Sequence, residues 1–475
     1  MTIEPIGLIA LALGIISLFF GPAFIVYVFV ASTLLGSAGA IILDFIGGTN
    51  IQPAHLLLGF LVFKLSTSQA VTQRASEGLA IGRPGFWLLL TALYSLLSAY
   101  AMPRIFAGET FVFAVRAQSA YSIPLGPTTS NLTQTVYFIG NLVCFYVLYG
   151  YASDEANRRN LAKAGLFCCV LNLVFAVLDL ATYWTGTTEL LSFIRNATYA
   201  LLNDSEIQGF KRIVGSFTEA SSFGYATLGY FAFASTFWLY GFAPAFMLPL
   251  SLLLFLALMF STSTTAYAGL VGLLAVMYFQ TAIFALLRSP TKQMTIFLIA
   301  APVVLVLAFV GISLNDDSAK YVGNMLDSML LNKLSTESGI ERSSWNRQAF
   351  QNFLDTFGFG AGNGSVRASS FPVAVIASLG FIGTLAYGAF LLSVLFGNRA
   401  RESSDLFENA VPHAAKSACI AWLIAATVSG ALIDLGLPFF VFSALACARI
   451  GTRKGKSAVD MQFAKYGSVR SAAGS

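Results

Sequence analysis

Lys211 to Tyr225, KRIVGSFTEASSFGY, runs two cations, a glycine, a cluster of hydroxyls and a glutamate straight into an apolar segment. The residues that follow, ATLGYFAFASTFWLYG from Ala226 to Gly241, carry no charge. A polar loop that gives way to about 20 uncharged residues is a membrane boundary, because a helix of about that length crosses one hydrocarbon core. The rest of the chain follows the same pattern. Of its 475 residues 57% are hydrophobic and 10% charged, and the mean hydropathy is +0.75. A soluble fold of this size would need far more polar surface, so the chain reads as an all-α polytopic membrane protein. Its first apolar stretch lacks a basic n-region and a cleavage site, and is expected to remain as a span.

Working outward from that boundary, apolar segments lie near 5–20, 22–43, 53–68, 85–103, 132–152, 161–183, 218–240, 242–260, 264–288, 294–314, 372–396, 416–432 and 433–449. That gives about thirteen spans of membrane length, or twelve if the first two are one. Gly21-Pro22 marks either a hairpin between those two or a kink in one long helix. Arg74 and Arg83, then Arg158, Arg159 and Lys163, then Arg288 and Lys292, then Arg399, Arg401 and Lys416 fall in alternate connections. Cytoplasmic loops carry such an excess of cations, which turns the long connections, about 104–131, 184–217 and 315–371, outward. Residues 1–450 are then an integral membrane domain. Residues 451–475, basic and rich in small residues, are expected to be a disordered cytoplasmic tail.

The five cysteines sit in apolar segments without CxxC spacing, and His55 and His413 stand far apart. Neither a disulfide framework, nor a metal site, nor a nucleic-acid partner is expected. No internal repeat is visible, and the acids inside apolar segments are only Asp179 and Asp434, which weakens a transporter reading.

Cations outside run against the usual bias, and binding an anion would give them a purpose. The 184–217 loop holds Arg195, Lys211 and Arg212, and the 315–371 loop holds Lys320, Lys333, Arg342, Arg347 and Arg367. Ser216-Phe-Thr-Glu219 matches a capping box, so Glu219 is either the return half of a helix cap or a catalytic carboxylate. A helix starting there points its unpaired N–H groups outward. Gly215 would allow an anion close to the backbone, with Arg212 one turn away and the hydroxyls of Ser216, Thr218, Ser221 and Ser222 around it. In the later loop, Trp345, Ala349 and Phe353 share a helical face, with Phe350, Leu354 and Phe357 beside it. Arg342 and Asn346 border that face, so Arg342 either projects into a cavity or pairs with Glu341 or Asp355. The glycine run GFGAGNGS, Gly358 to Ser365, suits a sharp loop better than a pyrophosphate cradle. Ser369 and Ser370 precede the span near Pro372, and STSTTAY, Ser261 to Tyr267, adds hydroxyls on the same side.

Arg212-Ile-Val-Gly215 before a hydroxyl-rich span start, then Arg342-Ser-Ser-Trp345-Asn-Arg-Gln-Ala-Phe350 and Gly358-Phe-Gly360-Ala-Gly362, resemble the bacterial O-antigen ligase and polymerase superfamily over about residues 180–395. The resemblance implies a GT-C-like glycosyltransferase of the inner membrane, working at the periplasmic face without metal or other cofactor. Its substrate would be an oligosaccharide on undecaprenyl pyrophosphate, its surroundings membrane lipids, and a chain-length regulator a candidate partner. It implies catalytic roles for Arg212 and Arg342, with Glu219 the first candidate for general base and Asp179 the second. Arg195, Lys211, Gly215, Ser216, Ser221, Trp345, Arg347, Ser369 and Ser370 would line the substrate. Ligases of the superfamily carry a histidine after the glycine-rich loop, where this chain reads VRASSFPV, so a repeat-unit polymerase is expected. A ligase acting on lipid A core and a flippase of lipid-linked oligosaccharide are the alternatives.

Overall fold

The computed structural model describes residues 2–43, 49–115, 121–197, 202, 206–207, 210–315, 320, 323, 337–397 and 404–449. The expected tail, Lys333 and much of the 315–371 loop before the glycine run lie outside them. Fifteen helices of eight or more residues are described: α1 Pro5–Phe19, α2 Pro22–Ser32, α3 Pro53–Ser66, α4 Gln69–Gly78, α5 Pro84–Ile105, α6 Thr129–Ala152, α7 Glu155–Thr185, α8 Ala220–Leu239, α9 Pro244–Phe260, α10 Thr264–Leu287, α11 Lys292–Ser313, α12 Glu337–Asp355, α13 Phe371–Phe396, α14 Leu406–Ser429 and α15 Leu437–Cys447. Strands among the described residues are fragments of two or three residues. Seven helices, α5, α6, α7, α10, α11, α13 and α14, are long and apolar enough to cross a membrane. The chain is an all-α polytopic membrane protein.

The count of thirteen full-length spans is not reproduced. α1, α2, α9 and α15 are apolar but have only 11 to 17 residues, and at about 1.5 Å per residue the shortest reach little more than half of a 30 Å core. α3 and α4 are folded at 109° to each other, which makes them one broken span or a re-entrant pair. The segment 22–43 leaves the helix at Ser32, and Ile41–Leu43 goes into a small antiparallel sheet. That sheet settles the Gly21-Pro22 question. Thr2–Ile3 before α1 pairs with Ile41–Ile42 after α2, so the two helices return to the same end as a hairpin.

The two ends of the bundle differ in chemistry. At one, Arg158 of α7 pairs with Glu408 of α14 (Nε–Oε2 3.0 Å), Arg159 pairs with Asp405, and Arg74 of α4 pairs with Asp154. The long connections gather at the other, the loop end. α8 runs between them, buried on nearly every side. Trp422 of α14 lies across Gly229, where any added Cβ would sit 2.1 Å from the indole. Tyr230, Phe233, Trp422 and Phe442 pack edge to face around this axis, an arrangement worth about 0.5–1.5 kcal/mol per pair beyond area burial. The N-terminus of α8 is thereby held firmly at the loop end.

The glycine run is a structural device. α13 is broken at Gly380 (φ +60°), and the run supplies partners to the freed backbone. Phe381 N donates to Gly358 O (2.8 Å), Ala361 N to Ala377 O (2.8 Å) and Gly362 N to Ser378 O (3.1 Å). Gly360 has φ +83°, and a Cβ there would lie 2.5 Å from Gly380 N, so only glycine fits. With these amides bonded to α13, they are not arranged to cradle a pyrophosphate.

Candidate functional site

Six residues before the end of α7, Asp179 is buried and takes three hydrogen-bond donors and one further cation. Its Oδ2 accepts from Val214 N (2.7 Å) and Gly215 N (3.0 Å). Its Oδ1 accepts from Arg195 Nη2 at 2.6 Å, with Lys211 Nζ at 3.6 Å. Arg195 also donates from Nε to Gly215 O (3.1 Å), and Lys211 to Arg212 O (2.9 Å). Two consecutive N–H groups around a positive-φ glycine (Gly215, φ +60°) form an anion-binding nest. The anion in it is the protein's own carboxylate. Arg195, Lys211 and Gly215, expected to line the substrate, therefore face one another and Asp179. The backbone approach expected at Gly215 is closed.

The capping box expected at Ser216 and Glu219 does not form. The turn at Gly215 points the buried Ser216 hydroxyl at Leu34 O (2.7 Å), while Ser216 O accepts from Ser37 N (3.1 Å). Glu219 itself occupies the cap position of α8 and makes no side-chain cap bond. Its Oε1 accepts from the Ser221 hydroxyl, and Ser222 and Thr218 pair at 3.2 Å.

Arg212 is half-buried and bonds the bend before α10, with Nε to Thr262 Oγ1 (3.2 Å) and Nη2 to Thr262 O (3.3 Å). Thr262 has φ +44°, a left-handed conformation that costs a β-branched residue about 1–3 kcal/mol and gathers at functional positions. Burial pulls the Arg212 guanidinium below its ordinary pKa, and the charges of Glu219 and Tyr267 act against that shift.

Glu219 also acts electrostatically on Arg367 of the second loop. Its guanidinium lies 3.9 Å from the centre of the Trp345 ring. Burial lowers its pKa, Glu341 raises it, Arg342 lowers it and Glu219 raises it. Glu219 is thus within electrostatic reach of Arg212 on one loop and Arg367 on the other, with Arg342 beside Arg367. Arg342 is half-buried, and no ion pair to Glu341 or Asp355 is present among the described residues. Asp355 is taken instead by Thr110 Oγ1 (2.5 Å) and Gln351 Nε2 (2.7 Å). Trp345 serves as the platform for Arg367. Asn346 Oδ1 accepts from the amide of buried Ser369 (2.7 Å), which ties α12 to the start of α13, where Ser370 is the cap residue. Arg347 is exposed.

On α12 the expected face turns inward at Ala349, with Trp345 and Phe353 half-buried, but its flank does not. Ala349 and Asn352 are buried, whereas Phe350, Leu354 and Phe357 are half or more exposed. Asn352 donates to Thr110 Oγ1 (2.9 Å) and Phe111 O (2.6 Å), so the inward stripe is polar. Arg367 was named in the sequence only among the cations of its loop and given no site role, because it belongs to no motif. Its available signal is position, as a lone cation between a glycine run and a helix start.

Arg212 sits on the bend before α10, Glu219 caps α8 and Arg367 precedes α13, and Glu219 acts electrostatically on both arginines. Cations from two loops beside a helix N-terminus concentrate positive potential, which suits a phosphate or diphosphate. No protein-family model matches the chain, and no curated protein matches it.

Proposed function

We propose that the chain is a polymerase of lipid-linked oligosaccharide repeat units, an inverting glycosyltransferase of the bacterial inner membrane with its site facing the periplasm. What supports this reading is that Arg212, on the Thr262 bend, and Arg367, on the Trp345 ring, come from loops 155 positions apart in the sequence and both feel the charge of Glu219. In the proposed reaction an acceptor sugar hydroxyl attacks the anomeric carbon of a second glycan. The carbon–oxygen bond to the pyrophosphate breaks, and undecaprenyl pyrophosphate leaves with both electrons of that bond. Three arginines beside helix N-termini stabilise the charge that develops on the leaving group, an effect of about 2.7–4 kcal/mol per well-placed donor. Glu219, held by the Ser221 hydroxyl, takes the proton from the acceptor. Asp179 is unsuited to that task because its lone pairs are engaged by three hydrogen-bond donors, with one further cation in ion-pair range.

The experiment is reconstitution of the purified chain in liposomes with lipid-linked repeat units. Elongation by the wild type, lost in Arg212→Ala and Arg342→Ala while both variants insert normally, is the expected result. Elongation at the wild-type level in both variants removes the site. Transfer of glycan to a core acceptor without elongation identifies a ligase, and transbilayer movement without new glycosidic bonds identifies a flippase.

A further inference from the structure

A cavity of about 320 Å³ opens at the opposite end of the bundle from the arginine cluster. It sits where five elements end or begin. Tyr240 caps the C-terminus of α8, Phe284 lies in the last turn of α10, Met294 in the first turn of α11, Phe396 closes α13, and His413 and Lys416 lie in the first half of α14. The His413 ring stacks on Tyr240 at 4.7 Å, and Arg288, at the end of α10, acts electrostatically on both. Gln280 completes the polar lining, and none of the described lining residues is acidic.

The walls and the approach are apolar. Met294 is the only residue of α11 that is buried, and beyond it Val304 and Leu305 are 60% and 71% exposed. Leu286, Leu287 and Phe396, beside the cavity mouth, are 85%, 77% and 76% exposed. Side chains of this kind are at home only against acyl chains. A ligand that satisfies both surfaces has an anionic head for Lys416 and a hydrocarbon body for α10 and α11. A soluble anion would meet the cation and leave the apolar approach uncovered.

We infer that this cavity is a binding site for the phosphate headgroup of an anionic phospholipid, seated on Lys416 and Gln280 with its acyl chains along α10 and α11. The site is separate from the arginine cluster, and it stands or falls independently of glycosyl transfer. Lys416 is buried enough that a charge-assisted contact there is stronger than one at an open surface.

The test uses the full chain purified in a neutral detergent, with phosphatidylglycerol, phosphatidylcholine or inorganic phosphate added. Bound lipids are counted by native mass spectrometry, and thermal unfolding is followed in parallel. Phosphatidylglycerol should bind roughly tenfold more tightly than phosphatidylcholine, the difference expected of one charge-assisted contact. Lys416→Met should erase that preference and Lys416→Arg should keep it. Lys292→Met, an exposed cation at the same end, should also keep it. Gln280→Leu, an exposed position on the lining, should reduce the preference several-fold even if the lysine variant fails to fold. Equal binding of the two lipids overturns the site, as does stabilisation reproduced by inorganic phosphate alone. Loss of preference in Lys416→Arg, or an unchanged preference in Gln280→Leu, overturns it as well.

Discussion

Lys211 turns inward onto Asp179 and is buried, whereas Arg212, its neighbour along the chain, turns onto the Thr262 bend and stays half-exposed. The two belong to clusters that look alike as sequence, both being cations in a loop beside a carboxylate. They differ in satisfaction. Asp179 receives two backbone amides and an arginine, with a lysine in ion-pair range. Glu219 receives one hydroxyl and acts electrostatically on Arg212 and Arg367, with no ion pair to it within 4.0 Å among the described residues. A closed network rigidifies a loop, and an open one keeps capacity for a ligand. The closed cluster anchors residues 211–215, and that anchor aims Arg212.

The comparison is broken most severely at Asp179. Asp179→Ala leaves Arg195 and Lys211 buried without a counter-charge and two amides without an acceptor. The loss should be about 3–5 kcal/mol, enough to deplete folded protein. Membrane accumulation and thermal unfolding in detergent would measure it. A variant that accumulates and melts like the wild type would mean that the network is not what holds the loop.

At the open cluster the effect should fall on activity. Arg367→Ala should lower polymer formation by about 10²–10³-fold while the protein accumulates normally, the loss expected when one donor to a developing charge is removed. Parallel assays of yield and elongation separate this outcome from misfolding. A fall in yield matching the fall in activity would move Arg367 into the structural class with Arg195.

Trp345 links the two behaviours, because its ring lies 3.9 Å from a proposed catalytic arginine. Trp345→Leu keeps an apolar side chain but removes the ring face under Arg367. A cation–π contact is worth about 0.5–2 kcal/mol according to how dry it is, so activity should drop roughly tenfold. Trp345→Phe should restore part of it. Equal loss in both variants would indicate that the indole acts by shape alone.

How much of this was legible in the sequence follows from the range of the interactions. The membrane class is written in composition, because every span must be apolar regardless of its neighbours. The span count was less legible. α2 and α15 stop after 11 residues each, α2 giving way to the turn that leads into the small sheet and α15 fitting inside the bundle, and hydropathy does not see that distinction. The first loop's arginine stands out in the sequence because R-x-x-G and a hydroxyl run sit together. Asp179 was underestimated because its partners lie 16 to 36 positions away, too far for any spacing rule. The capping box failed for a local reason: the positive φ at Gly215 redirects Ser216 before a helix can begin. A glycine just before a cap motif is the sign that could have warned of it.

Arg347 sharpens the comparison from the opposite side. It sits two residues after Trp345 on α12, was grouped with the substrate-lining residues from sequence, and carries the same charge as Arg342. A helix turns about 100° per residue, so a step of five from Arg342 to Arg347 rotates the side chain away by well over a right angle. Arg342 is half-buried beside Arg367, and Arg347 is exposed. If location within the open cluster is what matters, rather than cationic charge in the loop, Arg347→Ala should leave stability within about 0.5 kcal/mol of wild type. Elongation should stay within about twofold, because an exposed charge is largely screened by water and by salt, whose Debye length is roughly 8 Å under physiological conditions. Elongation measured at low and at physiological salt checks this directly. A loss comparable to that of Arg342→Ala at both salt concentrations would mean that the diphosphate extends across the outer face of α12, and the site would have to be redrawn around that face.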